Sequence, residues 1–417
     1  MTKITDIPAI RFKGFSDTWE QRKLGELVDR VVRKNTNNES TLPLTISAQY
    51  GLVDQITYFN NRVASRDVSN YYLVLNGEFA YNKSTSDGYP FGAVKRLDLY
   101  EKGVLSTLYI VFTPKKEQQI DSNFLTVFFD TDRWYKGVAE RAAEGARNHG
   151  LLNISAEDFF DIDLSVPKDI VEQKQIGAFI RQLDNLITLH QRKYDKLTNV
   201  KKSMLEKMFP QNGSNAPEIR FKGFTEAWEQ RKVTEIGKIY IGLVTTMTKH
   251  YTDEGTLLIR NSDIKDGKFE FGDNPIYLEK TFAEKNETRM HQIGDVITVH
   301  TGDVGTSAVI TENEAKSIGF ATIVTRPNPK IIDSNYLCSF LNTDKHKKWA
   351  VSISTGDGRT NYNLGDYFEL VVPVPSIAEQ KKIASYIQKL NRLITLHQRE
   401  LEKLKNLKKA CLEKMFV

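Results

Sequence analysis

The sequence predicts a mixed α/β (α+β) protein in which one fold occurs twice. Two globular domains are expected to be separated by two long helices, which pair as an antiparallel coiled coil and relate the halves by a pseudo-twofold axis. Two blocks of sequence each recur about half a chain length later. The longer block has apolar residues at heptad spacing, and the stretches between blocks mix β-rich runs with amphipathic helical runs.

The repeated blocks mark the domain boundaries. IRFKGFSDTWEQRK at 10–23 returns as IRFKGFTEAWEQRK at 219–232, and a 38-residue block at Glu172 returns at Glu379 with 23 of 38 positions identical. The stretches between the blocks differ much more, which a neutral gene duplication alone does not explain. The predicted segments are a first domain at 1–165, a first long helix at 166–209, a polar linker (PQNGSNAP) at 210–217, a second domain at 218–372 and a second long helix at 373–417.

Each long block predicts a single helix with an apolar seam. Apolar positions alternate at steps of four and three, which is the heptad signature, and neither block contains proline. The predicted seam consists of Ile180, Leu183, Ile187, His190 and Leu197 in the first helix and Ile387, Leu390, Ile394, His397 and Leu404 in the second. For the two histidines, a polar pair that fixes the register is the favoured interpretation, and a pH switch or a metal pair stays open.

A second apolar set lies beside the seam and makes the apolar face wider than two helices need. It consists of Phe179, Leu186 and Leu189 in the first helix and Tyr386, Leu393 and Leu396 in the second. We expect a partner subunit or the large domains to pack there, and packing within this chain alone remains the alternative.

Inside each domain, short β-rich runs alternate with polar turns. Tyr71–Phe79, Val104–Phe112 and Phe320–Thr325 are predicted to be strands because they are rich in β-branched and aromatic residues. Asn123–Tyr135 and Asn335–Trp349 have the pattern of amphipathic helices. Each domain is therefore interpreted as mixed α/β with a curved or barrel-like sheet.

Polar segments that follow the strands supply candidate nucleic-acid contacts. Tyr81–Tyr89 and His300–Ser307 occupy equivalent places in the two halves, as do Arg147–His149 and Arg359–Asn361. Arg and Asn suit guanine and adenine edges, and Lys, Ser and Thr suit phosphates. The candidates are Asn82, Lys83, Ser84, Thr85, Tyr89, Arg147, Asn148, His149, His300, Thr301, Thr306, Arg359, Thr360 and Asn361. An ordinary solvated turn is the alternative for each segment.

Positive charge is concentrated in the repeated helices. The chain carries +5 with a pI of about 8.8, whereas 172–209 carries +4 and 379–416 carries +6, so the remainder sums to −5. This balance is not that of a simple nucleic-acid binder, and any DNA-facing patch on the domains must be local.

The chain is expected to be cytoplasmic. Its two cysteines, Cys338 and Cys411, suggest no disulfide framework and fit a reducing compartment. The first residues lack the apolar core of a signal peptide, and no long apolar run predicts a membrane span.

No catalytic motif or metal cluster is predicted. The sequence has no phosphate-binding loop of the G-x-x-x-x-G-K-[ST] type, no closely spaced Cys/His cluster and no G-x-S-x-G elbow. Asp273–Tyr277 (DNPIY) is similar to the Asn-Pro-Pro-Tyr/Phe motif of adenine-N6 methyltransferases. Ile276 replaces the second proline, however, and no Gly-rich cofactor loop precedes the segment, so a turn leading into a strand is the preferred interpretation.

Taken together, the repeats resemble the specificity subunits of Type I restriction–modification enzymes. The resemblance covers essentially the whole chain and rests on four repeated features. They are the V-P…E-Q starts at Val166–Ile176 and Val374–Ile383, the IRFKGF…WEQRK openings, the LITLHQR helix cores at Leu186–Arg192 and Leu393–Arg399, and the M-F helix ends. It implies two target-recognition domains, each for one half of an asymmetric bipartite DNA site. It also implies that the paired helices act as a ruler and a docking surface.

The same resemblance implies the partners. They are double-stranded DNA, two modification (methyltransferase) subunits that methylate adenine N6 with S-adenosylmethionine, and restriction subunits that use ATP and Mg to translocate and cut DNA. This chain itself is expected to be non-catalytic and without a cofactor. The alternatives are a specificity subunit of a modification-only or regulatory complex, a stand-alone methyltransferase or nuclease, and a coiled-coil scaffold without a DNA role.

Overall fold

A computed structural model describes residues 7–47, 50–142, 150–211, 213–354 and 361–417. The chain divides into two compact units: unit 1 contains Met1–Leu189 and Glu400–Val417, and unit 2 contains His190–Arg399. Each unit holds one domain and part of both long helices. The prediction of a mixed α/β fold used twice, with two long helices that pack together, is confirmed.

The domain of unit 1 contains ten strands and five helices among the described residues. The strands are β1 (Glu20–Lys23), β2 (Val28–Arg30), β3 (Leu44–Ser47), β4 (Gly51–Asp54), β5 (Tyr72–Leu75), β6 (Phe79–Asn82), β7 (Ala93–Arg96), β8 (Lys102–Leu105), β9 (Ile110–Pro114) and β10 (Asp163–Val166). The helices are α1 (Leu24–Leu27), α2 (Gln55–Phe59), α3 (Ser122–Phe128), α4 (Tyr135–Arg141) and α5 (Ala156–Phe160), and the first long helix, α6 (Ile170–Lys207), follows.

The domain of unit 2 has the same order of its main elements with additional short strands. The strands are β11 (Glu229–Lys232), β12 (Gly237–Ile241), β13 (Tyr251–Thr252), β14 (Thr256–Ile259), β15 (Ile264–Lys265), β16 (Lys268–Phe269), β17 (Tyr277–Leu278), β18 (Val296–Thr298), β19 (Ser307–Val309), β20 (Ile318–Gly319), β21 (Ile323–Pro327) and β22 (Val371–Val374). The helices are α7 (Val233–Ile236), α8 (Lys280–Lys285), α9 (Ser334–Leu341), α10 (Asp344–Ile353), α11 (Leu364–Phe368) and the second long helix, α12 (Ile377–Lys414).

Both units are built around an antiparallel four-stranded sheet. Its order is β2-β9-β6-β7 in unit 1 and β12-β21-β18-β19 in unit 2. The other strands form smaller ladders and, in unit 2, a second four-stranded sheet. Among the described residues the strands therefore belong to several small sheets instead of the one curved or barrel-like sheet expected for each domain.

Two of the predicted strands are too long. Tyr71–Phe79 contains β5, a turn and only the first residue of β6, because Gly77 adopts φ +85° and donates its N–H to Leu97 O at 2.8 Å. Val104–Phe112 contains the end of β8 and the start of β9, separated by a turn in which Tyr109 N–H bonds Ser106 O at 3.1 Å. Asn76-Gly77 in the first run is a turn signal, whereas the second run contains neither proline nor glycine, so its interruption is not marked by such a residue.

The two predicted domain helices also break into two each. In unit 2 the Thr343 hydroxyl accepts a hydrogen bond from His346 N at 3.2 Å and so caps the start of α10. In unit 1 the break is at Thr131, whose hydroxyl donates to Phe128 O at 2.6 Å. Local side-chain hydrogen bonds end each first helix before the amphipathic pattern does.

The repeated opening blocks dock on the ends of the long helices. In unit 1, Trp19 packs edge-to-face on Phe416, with ring centroids 6.0 Å apart. In unit 2, Trp228 packs in the same way on Phe209 at 6.3 Å. These four rings are buried in the main cores. The repeated Trp and the repeated M-F helix end therefore belong to one contact, made twice.

A repeated ion pair fixes the start of each long helix. Arg11 bonds Glu172 at 2.5 and 2.7 Å, and Arg220 bonds Glu379 at 2.7 and 2.8 Å. Each Glu side chain is only 1% exposed. Two-point pairing with a guanidinium satisfies both carboxylate oxygens, which a buried charge requires.

The glutamine that follows this glutamate ties the helix to the domain. Gln173 donates to Pro167 O at 2.8 Å and accepts from Asp121 N at 2.8 Å. Gln380 makes the same two bonds, to Pro375 O at 2.8 Å and from Asp333 N at 2.8 Å. The repeated E-Q pair is thus explained by burial and hydrogen bonding.

In each unit the two long helices run antiparallel. In unit 1, Leu183 shares the core with Leu404 and Cys411, and Asp184 forms an ion pair with Lys408 at 2.7 Å. In unit 2, His190 contacts His397. Further along α6 in the same unit, Leu205 lies in the core with Ile387. Moving forward along α6 therefore means moving backward along α12.

Candidate nucleic-acid interface

The register of the central sheet brings three chain segments to one end of unit 1. β6 leaves the sheet where β9 begins, because Tyr81 pairs with Ile110 and Phe79 with Phe112. β2 leaves at the same end, since it runs antiparallel to β9 and Val31 N–H bonds Val111 O at 2.8 Å. We call this end, formed by residues 31–34, 82–85 and 106–109, the loop end of unit 1.

Unit 2 has an equivalent loop end. β18 leaves the sheet where β21 begins, because Thr298 pairs with Ile323. β12 also ends there, since Ile241 pairs with Ile323 as well. The loop end of unit 2 is formed by residues 242–246, 299–301 and 319–322.

The candidate residues that follow β6 lie at the loop end of unit 1. Asn82 Oδ1 accepts from Ser84 N at 3.0 Å, and Lys83 Nζ donates to Ile154 O at 3.3 Å. Thr85 donates both its N–H (2.7 Å) and its hydroxyl (3.0 Å) to Gly150 O. Ser84 is exposed and the other three are half-buried, so hydrogen bonds hold this loop in a fixed shape.

Tyr89 closes a tight turn in the same loop. Its N–H bonds Ser86 O at 2.9 Å, and Gly88 adopts φ +75° within the turn. A positive φ is inexpensive for glycine because it lacks a Cβ atom. Tyr89 is half-buried, whereas Ser86 and Gly88 in the same turn are exposed to solvent.

In unit 2 the candidates form a short hydrogen-bond chain. His300 Nδ1 and Thr301 Oγ1 are 2.7 Å apart, and Thr301 Oγ1 donates to Asn361 Oδ1 at 2.9 Å. All three side chains are half-buried. Partial burial lowers the pKa of His300, which keeps the ring neutral near pH 7. The cluster thus offers uncharged hydrogen-bonding groups.

Thr306 lies inside the fold. Its hydroxyl is buried and donates to Asp303 Oδ2 at 2.7 Å, and its backbone N–H bonds Asp303 O at 3.2 Å. The side chain supports the turn after Thr301 and does not face solvent.

Arg147, Asn148, His149, Arg359 and Thr360 lie outside the described residues, but the chain that follows them is placed. Ser84 pairs with Leu151 and Thr301 pairs with Asn361 in antiparallel bridges. The position equivalent to Asn361 is therefore Leu151, whereas aligning the two Arg residues makes it His149.

Asn261 also belongs to the loop end of unit 2, although it is not among the candidate contact residues predicted from the sequence. Its Oδ1 accepts from His300 N at 2.8 Å, and its Nδ2 donates to Ala321 O at 3.2 Å. It follows β14, which is parallel to β20, and this pairing is not visible in the sequence pattern. Asn261 therefore joins two of the segments that form this loop end.

A buried histidine supports the backbone segment that carries Asn361. Burial lowers the pKa of His346 to about 4, so the ring is neutral. Its Nδ1 donates to Leu341 O at 2.7 Å, and its Nε2 accepts from the Tyr362 hydroxyl at 3.3 Å. Tyr362 N–H in turn bonds His300 O at 2.8 Å, so the buried pair fixes the backbone next to Asn361.

Basic side chains at the loop end of unit 1 were also missed. Arg33 bonds Glu78 at 2.8 Å, and Lys34 Nζ lies 4.2 Å from the ring centre of Tyr72. Both follow β2 in the run VVRKN, and a basic pair after a short strand was the available signal. Glu78 offsets the charge of Arg33, and Lys34 also donates to Asn70 O at 2.9 Å, so both side chains are held by contacts within unit 1.

The methyltransferase-like segment is a turn leading into a strand. Asn274 is exposed, Ile276 O accepts from Leu258 N at 2.9 Å, and Tyr277 begins β17. Within the described ranges, no group of three or more His, Cys, Asp or Glu residues is arranged to hold a metal ion. Of the helices that the structure describes, none is long and apolar enough to cross a membrane.

The predicted seam residues are buried most deeply toward the domains. Ile180, Leu183, Ile387 and Leu390 are buried, whereas those nearer the helix middles are half-buried: Ile187, His190, Leu197, Ile394, His397 and Leu404. His190 Nδ1 and His397 Nδ1 are 3.2 Å apart, so one ring donates and the other accepts. This hydrogen bond supports the interpretation of the pair as a register contact.

The flanking apolar set is divided between internal packing and exposure. Phe179 packs on Phe12 at 5.8 Å, and Tyr386 packs on Phe221 at 6.1 Å. Three other members are exposed by 39–51%: Leu186, Leu189 and Leu396. The repeated opening blocks, through Phe12 and Phe221, therefore cover Phe179 and Tyr386, and the three leucines stay exposed.

The folds and loop ends define a protein with two similar domains whose exposed polar loops differ. The sequence matches the family described as Type I restriction modification DNA specificity domain twice, over residues 16–199 and 225–406. The chain belongs to this family.

Known proteins of similar sequence span nearly the same length. A putative Type I restriction enzyme MjaX specificity subunit from Methanocaldococcus jannaschii is 22% identical over 428 residues, covering 98% of this chain and 93% of the relative. The MjaVIII specificity subunit from the same organism is 21% identical, covering 94% and 91%. The crystal structure of the Type-I restriction-modification system S subunit from M. genitalium shares the fold, with a TM-score of 0.56, 15% identity and 99% coverage of both chains.

Proposed function

We propose that this chain recognises an asymmetric, two-part DNA sequence on behalf of catalytic partner subunits. The observation that carries the proposal is the pair of loop ends. Lys83, Ser84 and Leu151 in unit 1 occupy the backbone positions that His300, Thr301 and Asn361 occupy in unit 2. The same frame with different side chains suits two different half-sites, so the whole site is not a palindrome.

Catalysis belongs to the partners in this proposal. Two modification subunits supply S-adenosylmethionine and methylate adenine N6, and restriction subunits supply ATP- and Mg-dependent translocation and cleavage. The position of Asn274–Tyr277 supports this division, because the segment forms a turn before β17. This chain contributes no cofactor site and acts in the cytoplasm.

The open part of the helix face is the proposed docking surface for the modification subunits. Leu186 and Leu189 are large, apolar and exposed on α6 in unit 1, and Leu396 is large, apolar and exposed on α12 in unit 2. Large apolar side chains exposed beside each other, as Leu186 and Leu189 are on α6, are typical of protein interfaces. Because the domains carry a net negative charge, we expect the isolated chain to bind DNA weakly and the assembled complex to bind it with strong salt dependence.

The test is to co-express the chain with its modification subunit in a host that lacks adenine methylation, and to map N6-methyladenine by single-molecule sequencing. The expected result is a bipartite, non-palindromic motif methylated on both strands and absent without this chain. The unread gap should place the half-site centres about one helical turn, roughly 10–11 base pairs, apart. An assembled complex that methylates no such motif would contradict the proposal, as would methylation by this chain alone.

A further inference from the structure

Each loop end exposes a large apolar side chain in the turn that precedes the central strand. Leu108 precedes β9 and is 62% exposed, and Phe320 precedes β21 and is 39% exposed. Both turns lie at the same end of the sheet as Ser84 and Thr301. An apolar group therefore stands beside hydrogen-bonding groups in both domains.

Backbone hydrogen bonds hold Phe320 in place. Its N–H bonds Ile259 O at 2.8 Å, and the next residue, Ala321, is clamped by Asn261 at 3.2 Å. Ala321 has φ +48°, which is uncommon for a residue with a Cβ atom. A turn kept in this conformation presents Phe320 in one fixed direction.

A second apolar side chain lies beside each of these residues. In unit 2, Leu243 forms a bridge with Phe320, and the adjacent Val244 is 68% exposed. In unit 1, Val32 is 58% exposed and leaves the sheet next to β9. Each loop end thus has a small apolar patch within a polar surface.

We propose that Leu108 and Phe320 contact the C5-methyl groups of thymines in the major groove, one in each half-site. The proposal rests on the DNA-recognition function proposed above. The side chains of Leu108 and Phe320 have no hydrogen-bonding groups, so they cannot form hydrogen bonds with phosphates or sugars. The apolar group on the base edges in the major groove is the C5-methyl group of thymine. An intercalating wedge must protrude between bases, whereas more than half of Phe320 is covered by its own domain.

The test uses the assembled complex of the full chain with its modification subunit, and duplexes that carry the mapped motif. Each thymine is replaced in turn by uracil, which removes only the methyl group. One replacement in the half-site of unit 2 should weaken binding about three- to fivefold, the size expected for one methyl group returned to water. Phe320→Ala should abolish this thymine–uracil difference, and Phe320→Leu, which keeps an apolar contact, should retain most of it.

Matched controls lie at the opposite ends of the sheets. Ile293 precedes β18 and is 64% exposed, so Ile293→Ala should leave the difference unchanged. In unit 1, Leu99 follows β7 and is 62% exposed, as Leu108 is. Leu108→Ala should abolish a thymine–uracil difference in the other half-site, and Leu99→Ala should not.

The outcomes separate this inference from the proposed function. A complex that binds its motif specifically but has equal affinity for thymine and uracil duplexes would overturn the methyl contacts alone. So would a thymine–uracil difference that persists in Phe320→Ala and Leu108→Ala. A wild-type complex without sequence-specific binding would instead count against the DNA-recognition function itself.

Discussion

Thr301 donates a 2.9 Å hydrogen bond to Asn361, and the two residues are 60 positions apart in the sequence. An antiparallel bridge joins their backbones as well. This contact closes the loop end of unit 2 and sets the direction of the Asn361 side chain.

Replacing Asn361 should change DNA recognition in one half-site. In Asn361→Ala, the discrimination lost at one base pair of the unit 2 half-site should be about 1–3 kcal/mol, the range for a direct base contact. Methylation rates on single-mismatch duplexes measure it. Asn313→Ala is the control, because Asn313 is exposed in the loop after β19, at the other end of the sheet. An equal effect on both half-sites would argue against separate recognition by the two units.

Breaking the buried ion pair of unit 2 should destabilise the protein. Glu379→Gln leaves the Arg220 guanidinium without its charged partner in a largely buried place, so the free energy of unfolding should fall by about 2–4 kcal/mol. Urea denaturation followed by circular dichroism measures the change. Glu402→Gln, at an exposed position of the same helix, should change it by less than about 0.5 kcal/mol.

Unit 2 should lose stability in mild acid because of a buried neutral histidine. The pKa of His346 is about 4 in the folded protein and about 6.5 when unfolded. Its contribution is fully present above pH 6.5 and is lost as the pH falls toward 4, because only the unfolded chain takes up the proton in this window. The loss should reach roughly 3 kcal/mol at pH 4.

His346→Gln tests this assignment. The variant should be less stable than the wild type at pH 7, and its unfolding free energy should fall less between pH 7 and pH 5. His250→Gln serves as control, since the His250 side chain is 37% exposed whereas His346 is only 2% exposed. If the stability of His346→Gln depended on pH as the wild type does, His346 would not be the source of the acid sensitivity. The next candidate would be His291, whose pKa burial lowers to about 4.

The helix seam should not accept a charge. Leu183 is 5% exposed in the core of unit 1, so Leu183→Asp should cost about 4 kcal/mol or more and prevent assembly with the partner. Gln182→Asp places the same side chain on the exposed neighbouring position and should be tolerated. Thermal unfolding and size-exclusion chromatography with the modification subunit distinguish the two. Normal assembly of Leu183→Asp would reject the seam.

The exposed helix face should matter for assembly and not for folding. Leu396 is 51% exposed, so Leu396→Lys should leave the unfolding free energy within about 0.5 kcal/mol of wild type. Its affinity for the modification subunit should fall at least tenfold, as measured by isothermal titration calorimetry. Val351→Lys, at a 54% exposed position on α10, is the control and should assemble normally.

The long helices and the repeats could be predicted from the sequence because their signals are local. Heptad spacing and the absence of proline fix α6 and α12 to within a few residues, whatever the surroundings. The domain strands were harder. Val104–Phe112 contains neither proline nor glycine, and the turn at Ser106–Tyr109 that divides it forms through a backbone hydrogen bond.

The candidate site divides in the same way. Loop residues such as Ser84 and Thr301 could be proposed because they follow β-rich runs at equivalent places in the two repeats. Asn261 could not, since it reaches His300 only through the pairing of β14 with β20 across about 60 residues of chain. The buried position of Thr306 was equally invisible, because its partner Asp303 makes the segment look like any solvated turn.

By itself, the sequence determined that two domains of one kind alternate with two heptad helices, because repetition and periodicity are properties of the chain alone. Only the tertiary structure decided which polar residues meet. Strand register brings residues 82–85, 106–109 and 31–34 together in unit 1, and their counterparts in unit 2. Hydrogen bonding between distant strands selects that register, and a shift of one residue would turn every side chain to the other face.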